Sequence, residues 1–88
     1  MVRMSKPRKK PLGTRNIVGA KVAKLRVKKD IKQKDFVAIL QSSGMDITES
    51  RFSRLEGQER FVADYEVPIL AKALGVSVEW LLDQDQEP

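Results

Sequence analysis

The stretch "ITESRFSRLEGQ", residues 47–58, carries the residue types best suited to chemistry with a partner. Wound at about 100° per residue, it puts Thr48, Phe52 and Leu55 on one side and Ser50, Arg54 and Gly57 on the other. Glu49 and Ser53 flank the polar side along one edge and Arg51 along the other. Guanidinium groups among small hydroxyls can grip phosphate, or bind the O6 and N7 edge of guanine with two parallel hydrogen bonds. The major groove of B-DNA admits a helix of this kind. An ordinary solvated helix surface has the same composition, so the meaning of the face depends on the elements that present it.

Other chemistries are poorly supplied. The chain has no cysteine and no histidine, hence no disulfide, no zinc knuckle and no imidazole base. It has no glycine-rich phosphate loop and no carboxylate cluster on one face. Asp83, Asp85 and Glu87 would hold a cation only loosely on a terminal tail. The expectation is a protein that is not an enzyme and has no cofactor, metal or evident small-molecule ligand.

Charge points toward a polyanion. The 88 residues carry a net charge of +5, distributed very unevenly. Residues 1–34 hold 13 lysines and arginines against one acid, Asp30, whereas residues 35–88 hold 4 against 11. A basic side of this strength suits nucleic acid; a merely solvated tail is the plainer alternative. No apolar run reaches the roughly 18 residues of a membrane span. No apolar segment follows the charged start "MVRMSKPRKK", so no secretory signal is expected.

The positioning elements all read as helices. Residues 1–15 contain Pro7, Pro11, Gly13 and six cations, Arg3, Lys6, Arg8, Lys9, Lys10 and Arg15, and are expected to form a disordered basic arm. Asn16 offers a cap to a first helix with Val18, Val22 and Leu25 at i, i+4 and i+7. A second helix from about Lys32 turns Phe36, Val37 and Leu40 inward and stops at Gly44. Thr48 should cap the third, with Ile47 and Phe52 as a hydrophobic staple. "ERFVADY" reads as a loop with Phe61 plugged into the core. A fourth helix, "EVPILAKALG", has Pro68 in or near its first turn and ends at Gly75. Ser77 caps a short fifth helix, "SVEWLL", with Trp80 in the core, and residues 83–88 form an acidic frayed tail. The fold class predicted is all-α: a compact five-helix bundle over residues 16–82.

Three segments, "KLRVKKDIKQKDFVAIL", "ITESRFSRLEG" and above all "LAKALGVSVEWLL", resemble the phage Cro/repressor-type helix-turn-helix family, also called the xenobiotic-response-element family. The resemblance spans about three quarters of the chain. It implies a five-helix domain that binds double-stranded DNA sequence-specifically, usually as a dimer on a palindromic operator. By position, it implies base contacts from Glu49, Ser50, Arg51, Ser53 and Arg54 and phosphate contacts around Lys32, Gln33 and Lys34. It also implies an ion pair, Arg26 with Glu56, joining the first and third helices. A weak homodimer through the fifth helix and the loop before it is expected.

Three departures bear on that resemblance. The link "QSSGMD" is about five residues longer than in the tightest members. Lys32 stands where Thr or Asn usually caps, at a capping cost of about 1 kcal/mol. Glu49 puts an acid on the reading face. It has two roles open to it: stabilising the positive end of the helix dipole, or accepting from cytosine N4 while discouraging indiscriminate phosphate binding.

The functional expectation is a small cytoplasmic, nucleoid-associated transcriptional regulator, a repressor before an activator. The alternative is an antitoxin-like or adapter module whose main partner is a protein, which the acidic C-terminal half would suit. RNA binding would need exposed aromatics for stacking, and most of the five aromatic residues are expected to be buried.

Overall fold

The computed structural model describes residues 15–83, which form five helices and no strand. They are α1 (Gly19–Lys28), α2 (Gln33–Ser42), α3 (Glu49–Glu56), α4 (Glu66–Leu74) and α5 (Val78–Leu82). Of the expected arm and tail, all but Arg15 and Asp83 lie outside the described residues, Arg3, Lys6, Arg8, Lys9 and Lys10 among them.

Helical periodicity fills a single core. Val22 and Leu25 enter from α1, Phe36, Val37 and Leu40 from α2, and Phe52 and Leu55 from α3, all buried. Phe36 and Phe52 meet with ring centroids 5.4 Å apart and planes tilted by 45°. That arrangement avoids the unfavourable face-to-face stack. Leu70, Ala71 and Leu74 of α4 and Leu81 of α5 close the core. Fully burying each large apolar side chain stabilises the fold by about 1.5–3 kcal/mol. The long link between α2 and α3 is held by the same means: Met45 and Ile47 are buried, and Gln41 Nε2 donates to the Ile47 carbonyl at 2.8 Å.

Helices α1 to α4 end in the same way. At each end two N–H groups fold back onto the last turn, leaving one residue near the turn in the left-handed region. At the expected stops Gly44 and Gly75 φ is +98° and +75°, and the bonds Met45 N–H to Leu40 O (3.0 Å) and Val76 N–H to Ala71 O (2.9 Å) close the motif. The other two ends use Asp30 (φ 60°) and Gln58 (φ 62°), with Ile31 N–H reaching Arg26 O and Glu59 N–H reaching Arg54 O. A side chain in this region costs about 1–2 kcal/mol, which glycine would avoid. Gln58 recovers part of it by donating from Nε2 to the Asn16 carbonyl at 3.3 Å.

Three details differ from the sequence expectation. α1 begins at Gly19 rather than directly after Asn16, because residues 17 and 18 bend first. Val18 takes the cap position, with no side-chain cap bond, and Asn16 acts from two residues further back, its Oδ1 accepting the Gly19 N–H at 2.7 Å. Phe61 is no core plug but is 70% exposed. Its neighbour Val62 packs against the core instead, and adjacent residues of an extended loop face opposite sides. Trp80 only half-enters the core, and the Lys21 ammonium stands 4.3 Å from its ring centroid. Lys21 Nζ also donates to the carbonyls of Trp80, at 2.7 Å, and of Asp83. A cation thus sits at the negative end of α5.

Candidate nucleic-acid interface

α3 owes its start to Thr48, whose hydroxyl accepts the Arg51 N–H at 3.2 Å. Ile47 before the cap and Phe52 in the first turns are both buried, the staple pair that fixes the entry of the chain. With that side turned inward, Glu49, Ser50, Arg51, Ser53 and Arg54 are all exposed. None of their side chains makes a hydrogen bond or ion pair among the described residues. Five polar side chains therefore stand uncommitted on one helix, an acid along one edge and an arginine along the other.

The far end of α3 is fastened from three directions. Arg26 of α1 pairs with Glu56, Nε to Oε2 at 2.7 Å and Nη2 to Oε1 at 3.2 Å. Its Nη1 donates to the Ile31 carbonyl at 2.5 Å. Side-chain exposures of 12% and 7% leave the pair only a rim of solvent. From α2, Gln33 Nε2 donates to Glu56 Oε1 at 2.8 Å. Gln33 is therefore engaged within the fold as well as placed at the end of α2, where the resemblance puts a phosphate contact. Lys32 and Lys34 on either side of it are exposed, and Lys32 supplies no side-chain cap.

The third fastening comes from Asn16, a residue that sequence reading took for a cap alone. Its Nδ2 donates to Leu55 O at 3.2 Å and to Arg60 O at 2.8 Å. Next to it α1 runs so close to α3 that only a glycine fits at position 19. "Asn-x-x-Gly" at the start of a helix was the one local signal available. A second ion pair also went unread. Arg60 bonds both Glu66 oxygens at 3.3 Å, and Glu66 Oε1 accepts the Ala63 N–H at 2.9 Å. This ties the loop before α4 to that helix.

No protein-family model, curated protein or solved structure matches the chain. Among the described residues, no group of three or more Asp and Glu side chains is placed to hold a metal ion. No described helix is long and apolar enough to cross a membrane. Of the five aromatic residues, Phe61 and Tyr65 are each 70% exposed, more than the sequence suggested.

Proposed function

We propose that this chain is a helix-turn-helix protein that binds double-stranded DNA sequence-specifically, α3 reading the major groove and α2 lying against the backbone. In this reading it is a small transcriptional regulator, a repressor before an activator. The observation that carries the proposal is the uncommitted face of α3. Side chains with donors and acceptors for base edges project from a helix whose other end is fixed to α1 and α2. Arg54 and Arg51 suit guanine, and Glu49 suits cytosine N4. Lys32 and Lys34 at the start of α2, with the basic arm, supply the phosphate contacts that set register. A second copy would pair through α5 and the loop before it, placing two α3 helices one helical turn apart on a palindromic site.

The test is selection of bound duplexes from a random pool, followed by binding to the enriched duplex and a scrambled one across salt. A defined half-site and salt-dependent discrimination between the two duplexes support the proposal. Equal binding to both, at every salt concentration, would reject it.

One observation favours a second reading, an adapter or antitoxin-like module that binds protein. Phe61 and Tyr65 stand largely in solvent beside the Arg60–Glu66 pair, on the loop between α3 and α4. Aromatic side chains of this exposure are enriched at protein interfaces. Loss of partner binding on Phe61→Ala and Tyr65→Ala, with DNA binding unchanged, would place protein recognition there.

A further inference from the structure

Asn16 uses every hydrogen-bonding capacity that could fasten α3. Oδ1 accepts from Gly19 N, and Nδ2 donates to the carbonyls of Leu55 and Arg60. Its own carbonyl accepts from Gln58 Nε2. The residue is only 8% exposed. An apolar side chain of similar size would leave the Gly19 N–H without its acceptor and take a donor from the Leu55 and Arg60 carbonyls. Its partners share one location, the last turn of α3 and the backbone just past it.

We infer that Asn16 is a positioning residue that sets the attitude of α3, and through it the base selectivity of the reading face. This deepens the DNA-binding proposal above and rests on it. A helix held at one point can pivot about that point. Arg26 and Gln33 hold α3 by a side chain, Glu56, which has rotatable bonds of its own. Asn16 holds the backbone, at Leu55 and again at Arg60. Two anchorages of different kinds, one from each end of α1, meet the last turn of α3 at neighbouring residues and restrict its rotation there. Arg54 lies one residue before Leu55, so its Cα moves with the clamped carbonyl. A bidentate base contact requires the guanidinium plane to meet the base edge, and a looseness of about 1 Å is enough to spoil such a constellation.

The consequence separates cleanly from stability. If Asn16 only held the fold together, its loss would lower the folded fraction and weaken binding to every duplex by one factor. The ratio of operator to scrambled affinity would be unchanged. As a positioning residue, it moves that ratio. Asn16→Asp is the sharpest variant: it keeps the size and the acceptor for Gly19 N–H but turns an oxygen toward two carbonyls. Asn16→Ala removes the clamp without adding charge. Gln58→Asn tolerates the left-handed backbone but is too short to reach the Asn16 carbonyl, and gives a milder lesion.

The experiment measures the affinity of wild type and these three variants for the selected operator and a scrambled duplex. Helix content is recorded alongside. For Asn16→Asp and Asn16→Ala the operator-to-scrambled ratio should fall roughly ten-fold, the equivalent of one good base contact. Gln58→Asn should fall between them and wild type, which keeps the test alive if the Asn16 variants fold poorly. Unchanged ratios in all three would overturn the inference and leave the DNA reading intact. A wild type that does not discriminate between the duplexes would overturn both.

Discussion

Gly19 and Leu55 are in backbone contact across two helices: a Cβ at position 19 would fall 1.9 Å from the Leu55 carbonyl oxygen. No real Cβ tolerates that distance, and the obstacle is backbone that no rotamer change can move aside. The sign of the usual helix rule is therefore reversed. An exposed helical Gly→Ala stabilises by about 0.5–1 kcal/mol. Gly19→Ala should instead destabilise by about 1–3 kcal/mol, the range for overpacking a tight site. Urea unfolding with unchanged m-value measures it; a stabilised variant would mean that α1 and α3 can part at little cost.

The Arg26–Glu56 pair should behave as a unit with Gln33. Removing either charge strands the other with 12% or 7% of its side chain in solvent, and the cost is expected near the lower end of the 3–5 kcal/mol typical of buried pairs (about 3 kcal/mol). The double variant should lose much less than the sum. Coupling below about 0.5 kcal/mol would mean separately solvated charges.

Arg54→Ala should flatten preference at one base pair of each half-site and weaken operator binding by about 1–3 kcal/mol. Selection repeated with the variant is the measurement. A uniform loss across all sequences would reassign Arg54 to the phosphates.

Deleting residues 1–14 removes Arg3, Lys6, Arg8, Lys9 and Lys10 but leaves Arg15 and the Asn16 clamp. If about three of these cations neutralise phosphates, the slope of log affinity against log salt should become shallower by roughly 2–3 units. The ranking of DNA sequences should survive. Identical slopes with and without the segment would show that it takes no part in binding.

Sedimentation should show a weak homodimer that strengthens on operator DNA. A monomer at high concentration, both free and on DNA, contradicts pairing through α5 and the loop before it.

What was legible in the sequence was local. Thr48, Ser77, Gly44 and Gly75 each act within a few residues of themselves, and apolar periodicity gives the buried faces of α1 to α3. The Asn16 clamp spans 39 and 44 residues, and the Lys21 grip on the end of α5 spans 59 and 62. Beyond the Asn-x-x-Gly spacing at residues 16–19, the order of residues along the chain carries no trace of either. The left-handed Asp30 and Gln58 have no such signal, because glycine is the residue that marks a left-handed stop and neither position carries one. Phe61 was misplaced because hydrophobicity alone does not say which of two neighbouring loop residues faces in. For the site, the exposed positions of α3 were readable from its helical wheel, whereas the engagement of Gln33 with Glu56 was not.

The division of labour along α3 has a consequence for how such a protein can change. Phe52, Leu55 and Glu56 hold the helix in place, while the side chains of Glu49, Ser50, Arg51, Ser53 and Arg54 are exposed and make no hydrogen bond or ion pair among the described residues. Substitutions at surface positions of this kind usually shift stability by no more than about 0.5 kcal/mol. Duplicated copies of the chain can therefore drift through many combinations of helix-forming residues at those five positions and keep the fold. New target preferences become reachable by single steps that need no compensating change elsewhere.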